Sequence, residues 1–267
     1  MSAQIHVSHP SEGVAQLLLD NGPGNFATAS LHERLEEALS EVHRDGARVV
    51  VIGSAVDGVF VSHGHIGDII GNLSGTGSPS GDPRSFLRVS KALDTGPLVS
   101  IAAMEGQAWG GGFNLALSCD FRVASERATV GQPEIMAGVT TAGEAARIVH
   151  LAGEAAAKRL LLDGRPVSAL EAHRLGLVDR VVPDGEALAT AVDWAQWLAG
   201  REPGDLAMVK DLIVGTRDSE LTAALKRETA LFVSKFSDER VVSRLWDVQR
   251  RYDEGADSYE AFGIPEA

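Results

Sequence analysis

The sequence predicts an α/β fold, on three observations. The continuous apolar run Val49 to Ile52 suits a strand covered on both faces, and Leu98 to Ala103 also reads as a strand. Between them lie segments with apolar residues three and four apart, the mark of a helix with one buried face. The two kinds of segment alternate, which argues for α/β organisation. With 267 residues, 44% of them hydrophobic, one α/β domain with a modest appendage is expected.

Taken in order, the chain opens on a hairpin. Ile5 and Val7 alternate with polar residues, Pro10 to Gly13 forms a turn, and Val14 to Leu19 makes a second strand. Asn21-Gly22-Pro23-Gly24 is a loop signal. Leu31, Leu35, Leu39 and Val42 share one face of a helix that Asp45-Gly46 ends. After the strand at Val49 to Ile52, Gly71 to Asp82 is rich in Gly and Ser and reads as a surface loop, either a tolerated insertion or a lid. Strand, helix and strand follow at Leu98 to Ala103, Gly112 to Ser118 and Phe121 to Ala124. From Glu154 onward the pattern is mostly helical, apart from a short strand around Val178 to Val182. Helices are expected at Glu186 to Ala199, Gly204 to Val214, Glu220 to Phe236 and Asp238 to Tyr252.

Composition excludes several functions. The net charge is −13 and no basic stripe interrupts it, so a nucleic-acid partner is not expected. The same acidity requires local positive groups wherever an anionic ligand binds. Cys119 is the only cysteine, so no intramolecular disulfide forms, which fits a cytoplasmic location. Neither a signal peptide nor an apolar run of the ~18 residues needed to span a bilayer is visible, so no membrane partner is expected.

Three segments carry candidate chemistry: Phe60 to Ile66, Gly106 to Ala116 and Gly131 to Ile135. In the second, Gly110-Gly111-Gly112 follows a strand and opens a helix. The first N–H groups of a helix lack internal partners and sit at the positive end of its dipole, where they stabilise negative charge on a nearby oxygen. Packing or a tight turn is the alternative reading of a glycine run.

The run from Ile101 through Trp109-Gly110-Gly111-Gly112 to Cys119-Asp120-Phe121-Arg122 closely resembles the signature of the enoyl-CoA hydratase/isomerase (crotonase) superfamily. Gly131-Gln132-Pro133-Glu134 resembles its next motif, and Gly164-Arg165, Ser168-Ala169, Glu171-Ala172 and Gly176-Leu177-Val178-Asp179 a third. The likeness runs from about Val14 to Pro183, with a looser helical match beyond. It implies a spiral core of repeated ββα turns over residues 1–200 and a C-terminal helical region, 201–267, serving trimerisation and pocket closure. It also implies homotrimers or dimers of trimers, and an acyl-CoA thioester substrate with no cofactor besides the coenzyme A that substrate carries. The thioester oxygen would accept from the N–H groups of Gly64 and Gly111. Losing one such donor typically costs about 3–4 kcal/mol of transition-state stabilisation.

The chain also departs from the family's pattern. Hydratases of the family use two carboxylates. Glu134 matches one, while the other position is Asn114, an amide that cannot accept a proton near neutral pH. One carboxylate suffices to move a proton between two carbons, so double-bond isomerisation stands beside hydration. The family's Gly-Ala-Asp is replaced by His63-Gly64-His65. These histidines, with Ile66, Trp109 and Gly110, are expected to line the substrate. They read as structural groups, with a base role in thioester or C–C bond hydrolysis as the alternative, and they lack the third ligand a metal site needs. Glu144 reads as a helix-start residue or as a carboxylate facing the acyl pocket. Lys210, Lys226 and Arg227 are candidate contacts for the nucleotide end of CoA. A CoA-binding subunit without turnover is the remaining alternative.

Overall fold

The computed structural model describes residues 3–69, 80–137, 141 and 144–217, with positions 239, 240, 243, 247, 250 and 254. Compactness divides the chain into two units, Met1–Asp211 and Leu212–Ala267. The loop expected at Gly71 to Asp82 lies mostly outside the described residues, as do most of the last two expected helices and Lys226 and Arg227.

In the first unit, β1 (Gln4–Ser11) and β2 (Val14–Asp20) form the antiparallel hairpin. Helix α1 (Ala29–Arg44) follows. The Thr28 side chain caps its first turn by accepting from the N–H of Leu31, and Leu31, Leu35, Leu39 and Val42 are buried along one face. Three turns of two strands then follow. Strands β3 (Val49–Ser54) and β4 (Val59–Val61) precede a single helical turn at 66–69 and α2 (Ser85–Thr95). The next turn holds β5 (Val99–Met104), β6 (Gln107–Trp109) and α3 (Gly111–Ser118). The third holds β7 (Phe121–Ser125), β8 (Thr129–Gly131), a 3-10 turn at Pro133–Ala137 and α4 (Glu144–Asp163), which Gly153 breaks with φ 81°. Then come β9 (Val167–Ser168), α5 (Ala169–Arg174), β10 (Arg180–Val182), α6 (Ala187–Ala199) and α7 (Asp205–Thr216).

The first strand of each turn joins one sheet, ordered β1-β2-β3-β5-β7-β10 and parallel after the hairpin. The second strands join another, ordered β4-β6-β8-β9. The chain therefore winds as a ββα spiral, the fold the resemblance implied. The alternation of side chains along β3 and β5 shows why their apolar runs are continuous. Val49, Val51, Ile101 and Ala103 face the buried alanines of α6, while Val50, Ile52, Ala102 and Met104 face the main core with Phe60 and Phe113. Strands β4, β6, β8 and β9 escaped sequence reading because runs of two or three residues are too short to show a period.

Candidate active site

Strands β4, β6 and β8 are parallel neighbours, so their C-terminal ends lie side by side. Each of the three segments singled out above leaves one of those ends. The ladder continues one step past the strands, since Trp109 N–H donates to Ser62 C=O at 3.0 Å and Gly110 N–H to Gly131 C=O at 2.8 Å. Equivalent positions of successive turns thus bring Gly64, Gly111 and Glu134 together.

A fourth strand-like segment fixes Gly64. Ala27 pairs with it in a parallel bridge, donating to His63 C=O and accepting from His65 N–H, both at 2.9 Å. The loop before Ala27 is held by buried Asn25, whose backbone has φ 42° and whose amide donates to Leu19 and Phe60 carbonyls and to Ser54 Oγ. Phe26 rests against the His63 ring with centroids 4.9 Å apart. Asn25, Phe26 and Ala27 were not foreseen as site-forming; the Asn-Gly-Pro-Gly signal marked the loop but not its contacts.

The three glycines are each required differently. Gly110 has φ 47° and ψ −123°, and a Cβ there would meet Glu134 Oε1 at 2.7 Å. A Cβ on Gly112 would meet Val61 C=O at 1.9 Å. At Gly111 a Cβ would lie 3.2 Å from the Gly64 amide nitrogen, so these two residues are immediate neighbours. Among the described residues, neither the Gly64 nor the Gly111 N–H donates to a protein acceptor.

Glu134 sits in the first turn of the 3-10 segment, half-buried. Burial raises its proton affinity above that of an ordinary glutamate, and the charge of Glu144 adds to this, while His63 opposes it. Fully buried Gln132, turned so that its amino group faces Glu134, donates to both carboxylate oxygens at 3.0 Å and fixes their orientation. Gln132 stood inside a recognised motif, but its partner depends on side-chain torsions that no spacing reveals.

The remaining expected residues fall around this centre. Asn114 is buried in the first turn of α3, its N–H donating to Gly110 C=O at 2.8 Å. His63 lies beside Gly110 and Glu134, with Nδ1 2.8 Å from Gly64 C=O. The neutral tautomer that donates there leaves Nε2 as an acceptor. His65 Nδ1 is 3.2 Å from both the N–H and Oδ1 of Asp68, and Ser80 Oγ donates to the other Asp68 oxygen. Ile66 is exposed, and the Trp109 indole donates to Thr129 Oγ1 at 3.0 Å. Glu144 opens α4 and is only 3% exposed.

The structure corrects one expected contact. Lys210 does not face a pocket mouth. It is buried, and its ammonium donates to Leu93 and Leu98 carbonyls and to Asp120 Oδ2 at 2.5, 2.8 and 2.8 Å. These three bonds use all its donors.

Comparisons with known proteins bear on the fold and the family. The sequence model described as enoyl-CoA hydratase/isomerase matches residues 9–256. The chain belongs to that family, which is a family of enzymes. A probable enoyl-CoA hydratase 2, mitochondrial, of Arabidopsis thaliana is 32% identical over 231 residues, spanning 83% of this chain and 74% of the plant protein. A probable enoyl-CoA hydratase of Rhizobium meliloti is 33% identical over 232 residues, 86% of this chain and 89% of its own. Among solved structures, an enoyl-CoA hydratase from Polaromonas superposes with TM-score 0.81 at 28% identity, over 93% of this chain and 96% of that one.

Proposed function

We propose that this chain binds an enoyl-CoA thioester, with its carbonyl oxygen accepting from Gly64 and Gly111, and that Glu134 is the base of a double-bond isomerisation. The observation that carries this is the meeting of two unengaged backbone donors with a carboxylate of raised proton affinity. Glu134 removes a proton from carbon 2 of a 3-enoyl thioester, and the electron pair moves onto the thioester oxygen as a dienolate. The two N–H dipoles favour that oxyanion over the neutral ground state, which is differential binding of the transition state. Glu134 then returns the proton to carbon 4, so the double bond moves into conjugation with nothing added or lost. Gln132 keeps both oxygens of the carboxylate oriented between the two carbons. His63, His65, Ile66, Trp109 and Gly110 form the wall around the acyl portion.

Hydration is the second reading, favoured by the names of the relatives. Asn114 then holds the water by hydrogen bonding while Glu134 moves its proton. A panel of 2-enoyl and 3-enoyl thioesters, followed for bond migration and water uptake, separates the two. Glu134→Gln is expected to lower turnover by about 10²–10⁴ with thioester affinity nearly kept. Unchanged turnover would remove Glu134 as the base.

A further inference from the structure

Resting on the reading of Gly64 and Gly111 as oxyanion donors and of Glu134 as a proton carrier, we infer that His63 is a second catalytic acid–base residue, the group that takes the proton of a water added to a 2-enoyl thioester. His63 adjoins each part of the site. It precedes Gly64 in the chain, and its side chain lies against Gly110, the residue before Gly111. A Cβ on Gly110 would lie 2.7 Å from Glu134 Oε1 and 3.5 Å from His63 Cβ, so the carboxylate and the root of the histidine side chain flank one point. The backbone there is pinned, because Ala27 N–H donates to His63 C=O at 2.9 Å. The ring is pinned as well, by Phe26 at 4.9 Å between centroids and by the bond from Nδ1 to Gly64 C=O at 2.8 Å.

Those contacts fix the chemistry of the ring. A carbonyl oxygen only accepts, so Nδ1 carries the hydrogen and Nε2 keeps its lone pair. Among the described residues Nε2 has no protein partner, and the half-buried ring does not enclose it. One nitrogen held by backbone and the other open is the arrangement of a general base. His65 differs, since its Nδ1 is engaged by Asp68 at the helical turn 66–69. The titratable groups beside His63 are Glu134, from the 3-10 turn, and His65, which borders the same Phe26 ring at 6.0 Å. Asn114 can orient a water but cannot take its proton. His63 Nε2 takes that proton as the water oxygen bonds to carbon 3, and the electron pair of the double bond moves onto the thioester oxygen, held by Gly64 and Gly111. The pair returns to carbon 2, which takes the proton carried by Glu134, a carboxyl whose proton affinity burial raises. The proton on His63 then passes to Glu134, which restores both groups, and one water has been added with nothing else consumed.

The test uses the full-length protein and a four-carbon 2-enoyl-CoA, with water addition followed by uptake of oxygen-18 from labelled water. The natural chain is expected to add water, with kcat/KM falling on the acid side as the imidazole takes up a proton. His63→Gln is expected to lower kcat at least about 10²-fold and to remove that acid limb, with the affinity for a saturated acyl-CoA kept within a few-fold. Glutamine can also donate to Gly64 C=O, so a histidine that only braced that peptide would be replaced without loss. A folded His63→Gln that keeps the rate and the limb therefore overturns the inference. Should that variant not fold, nitrogen-15 NMR of labelled histidine in the natural chain decides, at about pH 8 where imidazole is neutral. The tautomer protonated at Nδ1 is expected, and the opposite one overturns the inference. A natural chain that moves double bonds without adding water also overturns it and leaves the isomerisation reading standing. One that adds water through His63 and moves no double bond overturns only the isomerisation reading.

Discussion

At the scale of single residues, the missing Cβ of Gly111 decides what can approach the Gly64 amide. Gly111→Ala introduces a methyl 3.2 Å from that nitrogen, a contact the backbone can nearly tolerate but a thioester oxygen cannot share. Turnover is expected to fall by about 10²–10³, the typical loss of one oxyanion donor, with melting temperature little changed. Comparing kcat/KM with thermal unfolding checks this, and a variant of full activity would place the substrate oxygen elsewhere. His32 gives a different kind of prediction. Burial lowers its pKa from 6.5 to about 4, opposed only by its bond to Thr28 C=O. The folded state resists protonation that the unfolded state accepts. Stability is therefore full above about pH 6.5 and is lost as pH falls toward 4, by roughly 3 kcal/mol. Urea unfolding at pH 7 and pH 4.5 should show this loss in the natural chain, and a smaller one in His32→Leu. At this scale the sequence pointed to Gly64, Gly111 and Glu134, whose neighbourhood is set by backbone position at the ends of adjoining strands. It could not show Gln132 turned onto Glu134 or the enclosure of Glu144, which depend on contacts across three elements. Lys210 was misread for a related reason, because a lone lysine in the helix Asp205–Thr216 gives no sign that three oxygens await it.

At the scale of elements, the Lys210–Asp120 pair joins α7 to the turn between α3 and β7. Burial pushes the Asp120 carboxyl up while Lys210 pulls it back, so each group depends on the other. Lys210→Ala leaves partly buried Asp120, still accepting from Ser100, without its counter-charge and the Leu93 and Leu98 carbonyls without their donor, and is expected to cost about 3 kcal/mol, read as a lower urea midpoint. A contact to the nucleotide would instead raise KM with the midpoint unchanged. Helices and long strands were legible because α1, β3 and β5 extend over enough residues to show a period. The second sheet was not, since its strands are held by neighbours in space and by a continued ladder, not by any pattern of their own.

At the scale of the whole molecule, the net charge of −13 acts against a ligand that is itself a polyanion. Raising ionic strength from about 20 to 150 mM shortens the screening length from roughly 20 to 8 Å, so KM for an acyl-CoA should fall. A KM that rises with salt would point to a dominant local cationic cradle. No helix among the described residues is long and apolar enough to cross a membrane. The spiral winding itself was legible only through the family resemblance, because composition and periodicity predict alternating layers without saying how they coil. The coil matters for how such a chain tolerates change. Loop insertions between the turns leave the ends of β4, β6 and β8 aligned, since the hydrogen-bonded rungs set their register. Deleting one residue inside Gln107–Trp109 would instead exchange the inner and outer sides of the strand and carry Gly110 and Gly111 off their shared step. New reactions can therefore arise by exchanging side chains at fixed stations, whereas a frameshift of a single rung dismantles them all.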